Sequence, residues 1–485
     1  MHLQFASKNE MIRQSGINRS TFFQILSGKR IPTEEQIHRM ISVMQLPRNE
    51  EIALRGLYER IRLGDAIWRH RSGVRRCLQT IAGDNEKNYG KLQNKRAPIA
   101  LPKGIAAVEG GDAVQRHLVE VLREAFAQEM VRIDLFVPML SEELYETLKV
   151  LYREAPRTKK VRIRHLNQFT GEENPRCSDT LKQFNHVVEF LTIDRTGYDP
   201  YYFYGNSDLR DNAGVLYPYC VITDTRVAWL DVQQQNLLLH NDTEMVKLCR
   251  KAFERSLRRS VPLIARFDGA VSITRLWPSE SKTYSYYQEF CVMHDITQQQ
   301  VERYVQPEIR TVVRNYSRHR WPQQEFFTRE GLLRFAREGW LGAYSPELVR
   351  QMEPLDRVAI LQTLYKNAKA NPEDHILLDA ARVPIPSKWV LFVHEQEHII
   401  LYREGMPDMK LMVISEPGIV GAFVEYFEHL RISFGPGNAE VMLTAIQEAI
   451  AVAQALADQA EPTKPEAQTE EIADGETNDL RDPLQ

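Results

Sequence analysis

Between Lys8 and Ile81 apolar residues recur at helical spacing, and beyond about Ala106 they gather into short runs separated by helical stretches. Residues 8–16 place Met11 and Ile12 on one side of a short helix that Gly16 ends, and Ile17 turns inward. Asn18 is an N-cap for a second helix, 19–27, with Phe22, Ile25 and Leu26 at helical spacing and Gly28 as its stop. Thr33-Glu34-Glu35-Gln36 forms a capping-box pattern before a third helix carrying Ile37, Met40, Ile41, Met44 and Leu46. An amphipathic helix over 49–63 (Ile52, Leu57, Ile61) and another over 66–81 follow.

The later pattern is α/β. A helix over 114–129 precedes the strand 131–137, and a helix over 141–153 precedes the strand 161–166. A strand over 187–193, a hairpin over 219–230 and a helix over 243–258 come next. The order then partly repeats. Leu148–Glu154 resembles Leu361–Asn367, the hairpin 220–230 has a counterpart in 390–402, and Lys251–Leu257 has one in Glu425–Leu430. Tyr198–Tyr204 is an aromatic cluster that reads as a strand packing on both faces, with a ligand-pocket wall as the alternative. Asn438–Ala457 is an Ala-rich amphipathic helix, and from Asp458 onward nine acidic residues against two basic ones predict disorder.

A chain of 485 residues needs more than one core. The expected fold class is multidomain: an all-α helix-turn-helix N-terminal domain followed by a large α/β domain, possibly duplicated. The expected divisions are 1–66 for DNA binding, 67–105 for a helix and linker, 106–265 and 266–457 for two α/β units, and 458–485 for an acidic tail. No apolar run has the length to cross a bilayer, no secretory signal opens the chain, and the five cysteines are scattered. A cytoplasmic location with reduced thiols is the expectation.

Net charge is −3, but residues 1–100 hold 18 Lys/Arg against 9 Asp/Glu, so the remainder carries −12. A basic end on a near-neutral chain points to a polyanion partner for that end. The segment Glu10–Thr33 resembles the lambda-repressor/Cro-like (XRE) helix-turn-helix family over roughly 60 residues. That family opens with a further helix, for which about seven residues precede Lys8 here. The resemblance implies double-stranded DNA as partner, with Arg19, Ser20 and Gln24 at base edges and Thr21, Lys29 and Arg30 on the backbone. Relatives of this kind bind as pairs, so a homodimer is expected, held by the α/β body, the 66–81 helix or both. Arg69, Arg71, Arg75 and Arg76 on that helix are further candidates for phosphate contact, for packing a dimer partner, or for a solvated face.

The strand and helix order of the larger region loosely resembles the phospholipase D-like fold. That family's chemistry needs a His with Lys two residues on, and none of the 13 histidines here has one. His394-Glu395-Gln396-Glu397-His398 fits the zinc-peptidase string H-E-x-x-H, with Glu416 as a third candidate ligand, as in ImmA/IrrE-type peptidases. Its flanks are β-branched and aromatic, which favours a hairpin turn over the helix that zinc chemistry requires. The sequence therefore reads as a transcription regulator with a sensing or oligomerising body and an unidentified small-molecule or peptide effector. No membrane partner, cofactor, metal or catalytic residue is assigned.

Overall fold

Capping side chains set the ends of the first helices. A computed structural model describes residues 8–83, 98–137, 142–169, 177–193, 195–205, 217–269, 276, 281–318, 323–341, 344, 346–404, 410–434 and 438–460. The expected linker core and acidic tail lie mostly outside these residues. Helix α1 (Lys8–Ser15) ends at Gly16, whose φ of +64° favours a residue without Cβ. Asn18 then caps α2 (Arg19–Leu26), its side chain accepting from the Ser20 N–H at 2.9 Å. A capping box between Thr33 and Gln36 opens α3 (Glu34–Met44). Met11, Ile17, Phe22, Ile37, Met40, Ile41, Met44 and Tyr58 form a small apolar cluster among these helices and α4 (Arg48–Leu63). The chain continues through Gly64 into α5 (Asp65–Ile81).

The first sheet begins with β1 (Ile105–Glu109), α6 (Gly111–Ala127), β2 (Val131–Phe136), α7 (Glu142–Glu154), β3 (Val161–Phe169), α8 (Cys177–Leu191) and β4 (Tyr198–Tyr204). Strands β5 (Tyr219–Ile222), β6 (Val227–Leu230) and β7 (Asn236–His240) form a meander, followed by α9 (Thr243–Leu257) and the short edge strand β8 (Val261–Pro262). Its spatial order is β1-β7-β6-β5-β2-β3-β4-β8, parallel only across β2, β3 and β4. Buried Arg164 on β3 stands opposite Asp134 on β2 and bonds it twice, at 2.6 and 2.9 Å. A one-residue slip would separate that pair, so it helps to set the register.

The second sheet contains β9 (Ala265–Asp268), β10 (Thr283–Tyr286), β11 (Gln323–Thr328), β12 (His375–Leu378), β13 (Trp389–His394), β14 (His398–Arg403) and β15 (Lys410–Ile414). Helices α10 (Gln298–Tyr304) and α11 (Pro307–Arg318) lie between β10 and β11. Helices α12 (Arg329–Glu338) and α13 (Pro354–Ala370) lie between β11 and β12, and α14 (Pro417–Phe434) and α15 (Asn438–Ala460) close the chain. The order β12-β11-β10-β13-β14-β15-β9 has the same succession and strand senses as the first sheet from β4 to β1. In this alignment α7 corresponds to the β10–β11 crossover and α8 to the β11–β12 crossover. The expected pairing of Leu148–Glu154 with Leu361–Asn367 is therefore out of step, whereas α9 and α14 both follow the end of the meander.

The expected fold class is corrected. Among the described residues the chain is a mixed fold of fifteen α-helices and two large sheets of eight and seven strands, each combining parallel and antiparallel pairs. It is not an all-α N-terminal domain followed by an α/β domain. Val74, Cys77, Leu78 and Ile81 of α5 lie in the main core with strands of both sheets, so the N-terminal helices run into the body's interior. Hairpin-linked strands make each sheet mixed, since a short turn joins only antiparallel neighbours. The strand expected over 187–193 is also corrected: residues to Leu191 finish α8, where Phe184, Val188 and Leu191 share an inward face although Phe and Val favour strands. Tyr198–Tyr204 is a strand, with Tyr198 and Tyr202 in the main core and Tyr201 and Phe203 against the outer cluster under α9.

Within the described residues one helix, α15, has the length and composition to cross a membrane. Met442, Ala445, Ile446, Ala449 and Ala453 pack instead into the second sheet's outer core, shared with α12 and α13. Leu78 on α5 is fully buried, so Leu78→Ala is expected to cost about 2–5 kcal/mol. Leu248 on α9 is 57% exposed, and Leu248→Ala should change stability little. Urea unfolding midpoints of the two variants check the difference.

Candidate nucleic-acid interface

Helix α2 is held by one buried ring and leaves most of its surface free. Phe22 is fully buried, while Arg19, Ser20, Phe23 and Gln24 are exposed and Thr21 is half-buried. At 3.6 residues per turn Arg19, Ser20, Phe23 and Gln24 span an arc of about 140°. Thr21 falls outside that arc, so the structure separates it from Arg19, Ser20 and Gln24. The Arg19 guanidinium lies 5.9 Å from the Phe23 ring centroid, a cation–π contact that keeps the arginine on this face. After the helix, the N–H groups of Lys29 and Arg30 both donate to the Gln24 carbonyl, at 2.9 and 3.2 Å. This turn holds exposed Lys29 and Arg30 at the far end of the same helix.

Which cations are available matters more than the net charge. Arg13 pairs with Glu10 at 2.6 Å, Arg39 with Glu35, Arg55 with Glu51 at 2.9 Å, and Arg62 with Glu34 at 3.5 Å. Arg60 and Arg69 both pair with Asp65. Among the described residues Arg19, Lys29 and Arg30 make no ion pair. The α5 arginines are mostly committed elsewhere: Arg71 grips Glu425 on α14 at 2.6 Å and Arg75 donates to the Arg382 carbonyl at 3.0 Å. Sequence reasoning missed those partners, 354 and 307 residues away. Arg76 stays exposed and makes no ion pair among the described residues.

The zinc-peptidase string is not on a helix. His394 ends β13, His398 begins β14, and the two are cross-strand partners around the turn Glu395-Gln396-Glu397. Gln396 takes the left-handed conformation that closes the turn. The His394 Nδ1 bonds Thr283 Oγ1 at 2.8 Å, and the His398 Nε2–H donates to the Leu276 carbonyl at 2.8 Å. Glu416 is buried as the cap of α14: Oε2 accepts from the Ile419 N–H at 2.7 Å and Oε1 from the Tyr204 hydroxyl at 2.6 Å. Both oxygens of this candidate third ligand are thus engaged in hydrogen bonds that join the two sheets.

The chain matches no protein-family model and no curated protein. The Cro-like and phospholipase D-like resemblances thus have no family-model match behind them. Among solved structures it is similar to that of TrmBL2, described as an archaeal chromatin protein showing a novel mode of DNA binding. The identity is 14% and the TM-score 0.21, over 37% of this chain and 60% of that one. So slight an overlap defines neither a shared fold nor a family.

Burial also gives the hairpin an acid sensitivity. Desolvation, aided by neighbouring His398, lowers the His394 pKa to about 3. In the unfolded chain it titrates at about 6.5, so below that pH the unfolded state takes up a proton that the folded state refuses. The His394 contribution is therefore intact above about pH 6.5 and is lost as pH falls toward 3. Urea midpoints at pH 7 and pH 4.5 should fall less in His394→Asn than in the parent chain. An equal fall in both would contradict this assignment.

Proposed function

We propose that this protein is a sequence-specific DNA-binding transcription regulator working in the cytoplasm. The observation that carries the reading is α2: a capped helix, anchored by Phe22, that exposes Arg19, Ser20 and Gln24 and is followed by unpaired Lys29 and Arg30. Two short helices around a glycine turn, backed by a third, are the arrangement that sets a helix in the major groove. Arg19 suits bidentate bonding to guanine O6 and N7, and Gln24 suits adenine. Lys29 and Arg30 suit phosphates, and half-buried Thr21, outside the arc, adds at most one more backbone contact. Phe23 supplies an apolar contact for a thymine methyl. The body serves sensing and assembly, with a small molecule or peptide as effector.

The protein acts as a homodimer in this reading. Leu57 and Ile61 on α4 and Ile67 on α5 are 55%, 62% and 42% exposed, although periodicity alone turns the first two inward. Exposed apolar residues on the helices that follow the DNA-facing one suit contact with a second copy, which would place two heads on adjacent half-sites.

Binding to genomic fragments selected for affinity is expected to weaken steeply with salt, since phosphate neutralisation supplies most of the affinity. Arg19→Ala and Gln24→Ala should each cost about 1–3 kcal/mol and relax preference at one base pair. Lys29→Ala and Arg30→Ala should weaken all sequences alike and each reduce the salt slope by about 1. Gel shifts across a salt series separate these classes, and salt-insensitive or absent retention would overturn the reading. In light scattering the chain should run at twice its 56.3 kDa mass, and the Leu57→Glu/Ile61→Glu variant at the monomer mass. A strict monomer both free and on DNA would refute the dimer.

A further inference from the structure

The β10–β11 crossover brings together three side chains that the DNA-binding reading does not use. After β10 the chain makes a single 3₁₀ turn, Val292–His294, which sets Cys291 and His294 three residues apart on one side. Strand β11 runs parallel to β10 and turns Glu325 toward that turn. The candidate ligand atoms of Cys291, His294 and Glu325 all lie within 4.8 Å of one another. The His294 Nε2 is 3.9 Å from Glu325 Oε1. Cys291 and Glu325 are buried, whereas the His294 side chain keeps 16% of its surface in solvent, which gives an ion a way in.

The surroundings suit a bound cation. The Cys291 Sγ lies 3.1 Å from the Tyr316 hydroxyl, and the Gln323 side-chain oxygen lies against His294 Nε2. Both oxygens are therefore at hand for a fourth position. Burial holds the Cys291 thiol up at about 12 and the Glu325 carboxyl well above its ordinary range, with Asp295 adding to the second effect. Without a metal, Cys291 bonds Tyr316, and His294 and Glu325 both bond the Gln323 side chain.

We propose that Cys291, His294 and Glu325 bind one divalent transition-metal ion of the zinc class. Thiolate, imidazole and carboxylate are the ligand types of four-coordinate zinc, and thiolate disfavours magnesium and calcium. Binding forms metal–sulfur, metal–nitrogen and metal–oxygen bonds and releases to solvent the thiol proton and any proton on the carboxyl, with no change of oxidation state. The ion pins the 3₁₀ turn to β11 and so braces the crossover carrying α10 and α11. The site stands apart from α2, and its existence does not depend on DNA binding.

The test uses the full-length protein, stripped with a chelator and titrated with Co²⁺ or Zn²⁺. About one equivalent per chain should bind, with the near-ultraviolet sulfur-to-cobalt absorption and strong visible bands of a four-coordinate thiolate site. The sulfur band should vanish in Cys291→Ser, and affinity should fall at least tenfold in Glu325→Gln. Both should survive in His394→Ala/His398→Ala, which separates this site from the hairpin histidines. Zinc should also raise the melting temperature of the parent chain. Sub-stoichiometric metal or no sulfur band in the parent chain would overturn the proposal, as would a band that persists in Cys291→Ser. Because the parent chain alone gives a decisive spectrum, a variant that fails to fold does not block the test.

Discussion

The burial of one face of α5 governs how the rest of the molecule is arranged. Val74, Cys77 and Leu78 are wholly inaccessible, and Ile81 nearly so, in a core that also takes residues from α8, α14 and strands of both sheets. Contact is close: a Cβ on Gly73 would come within 3.2 Å of Leu181 on α8. At the same helix Arg71 holds Glu425 on α14 through three hydrogen bonds of 2.6–3.3 Å. Since α8 belongs with the first sheet and α14 with the second, α5 lies on the seam between them. Gly64, at φ +83°, is the joint with α4, braced by Arg60 and Arg69 on Asp65 and by Arg60 over the Trp68 ring at 5.3 Å. The chain therefore passes from the sheets to α2 through a helix with one buried face and the Gly64 joint.

The N-terminal helices were legible because their signals are local. Asn18, the Thr33–Gln36 box and the positive-φ glycines act within a few residues, and apolar spacing marks Phe22 and Ile37 as core. Leu57 and Ile61 obey the same periodicity yet face solvent, since periodicity says which residues share a face and not what covers it. The repeated strand order was only partly legible. The hairpins sit at matching places, but the helical crossovers differ in length and number, so a short match such as Leu148–Glu154 with Leu361–Asn367 joined non-equivalent helices. The docking of α5 was hidden because its partners Glu425 and Arg382 are more than 300 residues away.

The same four-residue spacing can serve two geometries. On a helix, His394 and His398 would lie one turn apart on one face. Around a three-residue turn they become cross-strand neighbours with ring centroids 4.9 Å apart. Proximity is common to both, and the difference is that Thr283 and the Leu276 carbonyl already engage the imidazoles in the sheet. The trio at Cys291 shows the converse. Cys291 and His294 lie three residues apart, a spacing the sequence reading passed over, and Glu325 joins them only because β10 and β11 pair in parallel across 36 intervening residues, from 287 to 322.

Both sheets place a buried carboxyl group in their central parallel pair and treat its charge differently. In the first, Asp134 stands opposite Arg164, and Arg250 from α9 approaches it at 3.3 Å, so the countercharge is built into the fold. Glu254 on α9 bonds the same Arg164, tying helix to sheet. In the second, Ser285 stands opposite Glu325, and neither β10 nor β11 contains a Lys or Arg. A bare carboxylate there would carry a heavy desolvation cost. A proton removes that cost by removing the charge, which is the state burial favours at Glu325. A divalent ion removes it by supplying the opposite charge, and it draws on Cys291 and His294 as well. The first sheet thus fixes its register with an internal ion pair, whereas the second carries its carboxyl on the strand that matches Arg164's and sets a serine opposite it.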